Sequence, residues 1–192
     1  MLNKRFFVIL GITLSAAAVR LVPHPPNMTP IAAMALFGGA HFAGKRTALL
    51  VPLAAMYLSD LVLGFFIYDF GFFHGFMPFV YTGFVVTVCL GFLVRRRITP
   101  LTVGAAALTG SIMFFIVTNF GVWLVGNLYP KTLTGLAGCY VAAIPFFRNT
   151  LMGNAVYTLV LFGGFELAQA YIPVLRAEPV AMPAHVCFGR NR

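Results

Sequence analysis

The residue with the clearest chemical potential is Asp60, set in the apolar stretch Ala54-Ala-Met-Tyr-Leu-Ser-Asp-Leu-Val-Leu-Gly-Phe-Phe66. A carboxylate at membrane depth costs at least ~2.5–3.5 kcal/mol on insertion scales, so it faces a partner, a cavity or a substrate. A second segment, Phe114-Phe-Ile-Val-Thr-Asn-Phe-Gly-Val-Trp123, carries Thr118-Asn119 where the first carries Ser59-Asp60. The two read as matching helices that point polar pairs into one pocket. Two roles for Asp60 stay open: contact with a ligand, or an ion pair with Arg20 or Arg148, which fall at the same depth. Asn119 either orients a ligand or ties helices together. Trp123 is either a stacking platform or an interface anchor.

Other candidates surround this pair. His24 and Asn27 sit in the rigid loop Val22-Pro-His-Pro-Pro-Asn-Met-Thr-Pro30, which would cover the pocket. Arg148, Asn149 and Tyr140 lie at the same predicted depth; Asn149 would orient the ligand and Tyr140 would pack against it. Apolar walls with a few amides suit a small, partly aromatic ligand. No catalytic set accompanies them. There is no G-x-S-x-G, H-E-x-x-H, paired-Asp motif or P-loop, and Thr109-Gly-Ser111 lacks a base on a matching helix. The reading is therefore not an enzyme, and no metal or cofactor is expected. Cys89, Cys139 and Cys187 are odd in number and form no C-x-x-C, which argues against a disulfide framework or zinc site. Cys89 reads as core packing, His41 as an inner interfacial residue, and Glu166 as a group that reaches the inner surface.

The elements that must hold these residues are membrane helices. Only 9% of the 192 residues are charged, 60% are hydrophobic, and mean hydropathy is +0.93. Soluble domains carry about 25% charge. The expected fold is an all-α bundle of six transmembrane helices in one domain over 1–172, followed by a flexible cytoplasmic tail over 173–192. The first helix runs Phe6 to Val19; a cleaved signal peptide is the other reading. The second, about Pro30 to Ala43 with Thr29 as N-cap, is short for a span, and Ala35, Gly39 and Ala43 give it a smooth face. The third runs Thr47 to about Ile67, the fourth Met77 to Val94 and the fifth Pro100 to Leu124. Tyr68 to Phe76 is an aromatic connector. Leu136 to Phe147 is apolar but twelve residues long, and reads as a re-entrant or interfacial helix broken by Arg148-Asn149-Thr150. The sixth span runs about Leu151 to Ile172.

The net charge of +9 is explained by insertion. Ten of the thirteen Lys and Arg residues fall on one side of the six spans. The positive-inside rule makes that side cytoplasmic, with both termini inside. No soluble basic face exists for a nucleic acid. The inner half of the bundle reads as almost purely apolar, so the pocket opens outward.

The run Arg20-Leu-Val-Pro-His-Pro-Pro-Asn-Met-Thr-Pro-Ile-Ala-Ala-Met-Ala-Leu-Phe-Gly-Gly-Ala40, with Leu58-Ser-Asp60, Thr118-Asn-Phe-Gly-Val-Trp123 and Cys139-Tyr-Val-Ala-Ala-Ile-Pro-Phe-Phe147, resembles DUF6580, a family of bacterial membrane proteins described as candidate transport proteins. That family looks like the S components of energy-coupling factor (ECF) transporters, six-helix vitamin receptors with an outward pocket covered by the first loop. The resemblance implies uptake of a small vitamin or micronutrient across the bacterial inner membrane. It also implies a partner transmembrane and ATPase module, met through small residues such as Gly11 and Ser15. Cobalamin is one candidate ligand, with Cys89 or Cys139 as cobalt ligand. The alternative is an accessory or scaffolding subunit of a membrane complex.

Overall fold

A computed structural model describes residues 4–66 and 75–176. Among them there is no strand. The helices are α1 (Lys4–Val19), α2 (Ile31–His41), α3 (Lys45–Phe66), α4 (Met77–Val94), α5 (Pro100–Val125), α6 (Leu133–Thr158) and α7 (Gly164–Tyr171). A π-helical turn, Leu159–Gly163, joins α6 to α7, and a 3₁₀ turn, Pro173–Leu175, follows. Among the described residues, four helical runs are long and apolar enough to cross a membrane: α3, α4, α5, and the continuous run Leu133–Tyr171. Their outward faces carry side chains such as Leu50, Leu93, Leu101 and Leu133, all exposed and apolar as lipid contact requires. Most of the connector Tyr68–Phe76, with Asp69 and His74, lies outside the described residues, as do the tail beyond Arg176, His185 and Cys187.

The short helix α2 is the centre of the molecule. Ten of its eleven residues are buried. A helix that is apolar all round must be enclosed, and α2 is flanked by α1, α3, α4, α5 and α6. Two adjacent glycines make the enclosure possible. A Cβ on Gly38 would strike the Pro52 ring of α3. On the other side, a Cβ on Gly91 of α4 would lie 2.6 Å from Leu36 O and 2.7 Å from Gly39 Cα. The backbones of α2 and α4 therefore touch at a paired Gly39–Gly91 crossing, as small residues permit. Ala35 and Gly39 are buried as the smooth face requires, but Ala43, its expected third member, lies past the end of α2 and is exposed. The expected Thr29 cap is absent: α2 starts at Ile31 with Pro30 in the N-cap position and no side-chain cap. Thr29 turns elsewhere, as described below.

The far end of α2 is closed by Arg95, just past α4. Its guanidinium donates to Ala43 O and Gly39 O, each at 2.9 Å, and to Phe42 O. A cation on the last carbonyls of a helix satisfies orphan acceptors and offsets the helix dipole. On the same end, the Arg5 guanidinium lies over the Phe165 ring at 5.9 Å, so the start of α1 and the start of α7 meet there. Thr99 and Thr102 form a reciprocal capping box for α5, with bonds of 3.2 and 3.0 Å, and Pro100 follows at the first helical position.

Two expectations about the last third fail. Residues 136–147 are not a separate re-entrant helix, and Arg148-Asn149-Thr150 do not break the chain. α6 runs straight through them, past Pro145. With the π-turn and α7 it makes 39 helical residues, about 58 Å at ~1.5 Å per residue. Polar residues break an apolar run, not a helix: Thr150 Oγ1 donates back to Phe146 O at 3.2 Å, and the Asn149 side chain reaches across to another segment. Counting apolar length therefore underestimated helical length.

The core also holds buried polar side chains. Asn154 is buried, and its Nδ2 donates to Ala107 O (2.8 Å) and Ser111 Oγ (2.7 Å) while its Oδ1 accepts from Thr158 (3.2 Å). This network ties α6 to α5. His41 is not interfacial. It is 3% exposed, packed among Phe37, Phe162 and Phe165 beside the π-turn. Neither ring nitrogen finds a hydrogen-bond partner among the described residues. A buried unmade hydrogen bond costs about 1–3 kcal/mol. His41→Leu is therefore expected to raise the unfolding temperature of the detergent-solubilised protein; a lower temperature would mean that the ring is held by something else. Cys89, read as core packing, is exposed on α4 instead.

Candidate functional site

Arg20 follows the last turn of α1 and is drawn inward, only 9% exposed. Its Nη2 donates to Asp60 Oδ1 at 2.7 Å, and its Nη1 donates to Ser59 Oγ at 2.5 Å and Met56 O at 3.4 Å. The other carboxylate oxygen of Asp60 accepts the Tyr81 hydroxyl of α4 at 2.8 Å. Asp60 is 8% exposed. The carboxylate is thus neutralised and hydrogen-bonded on both oxygens, as a buried charge must be. Of the two roles left open, the structure realises the ion pair, and with Arg20; exposed Arg148 takes no part.

This network forms one wall of a cavity of about 530 Å³. The cavity lies at the opposite end of α3 from Lys45 and Arg46. Loop residues His24, Asn27 and Thr29 cover it, and Thr118 and Asn119 of α5 and Thr150 of α6 add polar groups. Leu63, Val80, Phe114 and Val122 supply apolar wall. The volume is within the usual range for small-molecule pockets, ~300–1,000 Å³, and the mixture of apolar wall with sparse polar groups is typical of them. Asp60, Thr118 and Asn119 do face one space, while Ser59 sits behind Arg20.

Four of the eight candidate residues therefore border the cavity: Asp60, Asn119, His24 and Asn27. The other four do not, and each has a structural reason. Trp123 Nε1 donates to Pro130 O at 3.0 Å, and Lys131 lies over its ring at 5.6 Å and donates to its carbonyl, so Trp123 anchors the α5–α6 loop. Tyr140 OH donates to Ile116 O at 2.7 Å, joining α6 to α5. Asn149 Nδ2 donates to Pro26 O at 3.0 Å. It clasps the covering loop and does not reach into the cavity. Arg148 points outward.

The loop's shape rests on Asn27, whose φ of 64° is the one left-handed non-glycine value among the described residues. Asparagine tolerates that region where β-branched residues do not. Asn27→Val is expected to loosen the loop and Asn27→Gly to preserve it. Hydrogen exchange at residues 25 to 29 would distinguish them.

Sequence reasoning missed Tyr81, Thr150 and Phe114. A tyrosine or threonine in an apolar helix usually marks an interface or a back-bonded side chain; only Tyr81, whose hydroxyl meets the Asp60 carboxylate, had a signal to point to it. Neither Cys89 nor Cys139 borders the cavity; the Cys139 thiol donates to Asn119 O at 3.5 Å. No curated protein and no solved structure matches the chain. A family model described as "Family of unknown function (DUF6580)" matches residues 1–175, which is nearly the whole chain, and the protein belongs to that family.

Proposed function

We propose that this protein is the substrate-binding component of a membrane uptake system, similar in role to an ECF S component. It spans the bacterial inner membrane six times with both termini in the cytoplasm, and captures a small vitamin-like micronutrient from the outer side. The observation that carries this reading is the 530 Å³ cavity roofed by a clasped loop at the end away from the basic residues. Lys4, Arg5, Lys45, Arg46 and Arg95–Arg97 lie toward the other end, which the positive-inside rule assigns to the cytoplasm. The ligand contacts are Asn119, Thr118, Thr150, His24 and Asn27. Asp60 acts through Arg20 and Tyr81 by holding the wall. Cobalamin has no place in this proposal, because no thiol among the described residues borders the cavity. Inward movement comes from a partner ATPase module or from tilting of the bundle. Gly11 and Ser15 are exposed on α1, with open space around Gly11, and are available to such a partner.

One observation favours the scaffolding alternative: Asp60, Trp123, Tyr140 and Asn149 are all satisfied within the chain. That alternative predicts a filled interior, and the cavity supports the binding reading over it. The test is mass spectrometry of small molecules that co-purify with the full chain, compared with Val122→Trp, which fills the cavity. A compound present with the parent and lost in the variant supports binding. No compound above background from either folded protein supports scaffolding.

A further inference from the structure

The hydrogen-bonding capacity left over in the cavity is lopsided. Thr118 Oγ1 spends its proton on Phe114 O at 2.8 Å, and Thr150 Oγ1 spends its proton on Phe146 O at 3.2 Å. Each hydroxyl keeps lone pairs and no proton. Asn119 Nδ2 donates to Phe115 O at 2.8 Å, which fixes the amide's orientation and leaves Oδ1 without a donor among the described residues. His24 Nδ1 lies 2.6 Å from Val22 O. A carbonyl only accepts, so Nδ1 carries the hydrogen, which leaves Nε2 as the ring's candidate acceptor. Asn154 has no donor left, since both of its amide hydrogens are engaged and its oxygen already accepts from Thr158. The helix walls and His24 therefore offer acceptors at four residues, against one spare amide hydrogen on Asn119. Asn27 and Thr29 on the loop carry both kinds and do not set a polarity.

The charges point the same way. Arg20 and Asp60 are the charged residues on the described cavity wall, and they cancel at 2.7 Å. An anionic ligand would bring a charge with no free cation to meet it, beside lone pairs that repel it. Leu63, Val80, Phe114 and Val122 would cover an apolar body.

We infer that this cavity takes an uncharged molecule bearing several N–H or O–H donors on an apolar body, and rejects carboxylates and phosphates. The inference deepens the substrate-binding reading above and rests on it. A positively charged binding cleft would be expected for an anionic nutrient; among the described residues this wall has none.

The test uses the full chain in lipid nanodiscs and matched pairs of probes: indole-3-carboxamide with indole-3-carboxylate, and adenosine with adenosine 5′-monophosphate. Binding is read by saturation-transfer NMR, and only signal lost in Val122→Trp is counted. The carboxamide and the nucleoside are expected to bind at least ~10-fold more tightly than their anionic partners. Thr118→Val removes an acceptor whose only bond is within its own helix, and should narrow that gap; Asn119→Leu should narrow it further. If the anionic members bind equally or better at the blockable site, the inference fails while the binding reading stands. An unchanged gap in both variants also overturns it, because the acceptors would then not set the preference. Absence of any blockable binding removes the substrate-binding reading and this inference with it.

Discussion

Arg20→Met is expected to destabilise the folded protein by about 3–5 kcal/mol, more than the double replacement Arg20→Met with Asp60→Leu. The single change leaves the Asp60 carboxylate buried with only the Tyr81 hydroxyl for company. It also strips Ser59 Oγ and Met56 O of a donor. A lone buried anion must either stay charged at a heavy cost or take up a proton. The double replacement removes both charges and leaves apolar side chains of similar size, which is often close to neutral at buried pairs. Unfolding of the four proteins of this cycle in detergent, at one temperature, gives the coupling directly. Single replacements no worse than the double would mean that Asp60 and Arg20 do not depend on each other, and the assignment of Asp60 as a wall-holding group would fall.

Asp60→Asn separates structure from recognition further. The amide still accepts from Tyr81 or Arg20 but no longer cancels the Arg20 charge. Stability should fall, and the cavity wall should become net positive. If Asp60 is a positioning residue, ligand binding by the fraction that remains folded should change less than in Asn119→Leu. This ordering reverses the ranking that the sequence suggests, where Asp60 is the foremost candidate for ligand contact.

The sequence disclosed the helical class, most helix boundaries and the polar pair on α5, because apolar length and proline or threonine starts are local signals. It disclosed that Asp60 needs a partner and named Arg20 as one of two. It could not choose between Arg20 and Arg148, since that depends on which way a side chain faces after two helices have packed. It misjudged α6 because a polar triplet interrupts hydropathy but leaves backbone hydrogen bonds intact. Trp123 and Tyr140 do not turn to the cavity: both send their polar atoms to nearby carbonyls. Depth is written in the count of residues from a basic anchor. Facing is written in long-range contacts, such as the Asn149–Pro26 bond across 123 positions.

Gly91→Val should be severely damaging for the change of one small residue. Gly91 is buried on α4, and the nearest atoms to an added Cβ are backbone: Leu36 O at 2.6 Å and Gly39 Cα at 2.7 Å. No rotamer relieves such a clash, because neither neighbour is the end of a flexible side chain. The two helices must separate, and α2 packs more extensively against α4 than against any other element. Separation would loosen α2 from the centre and carry with it the Arg95 bonds to Gly39, Phe42 and Ala43. Overpacking usually costs ~1–3 kcal/mol where side chains can yield; a rigid backbone contact at the centre of the bundle should exceed that. The expected result is loss of monodisperse protein on detergent extraction, with Gly11→Val as the control. Gly11 has nothing within 4 Å of an added Cβ, so the control should extract normally. Normal extraction and melting of Gly91→Val would mean that α2 and α4 can slide apart at little cost. The Gly39–Gly91 crossing would then be a movable contact, and α2, which carries Ile31 and Ala32 on the cavity wall, would be free to shift with the ligand.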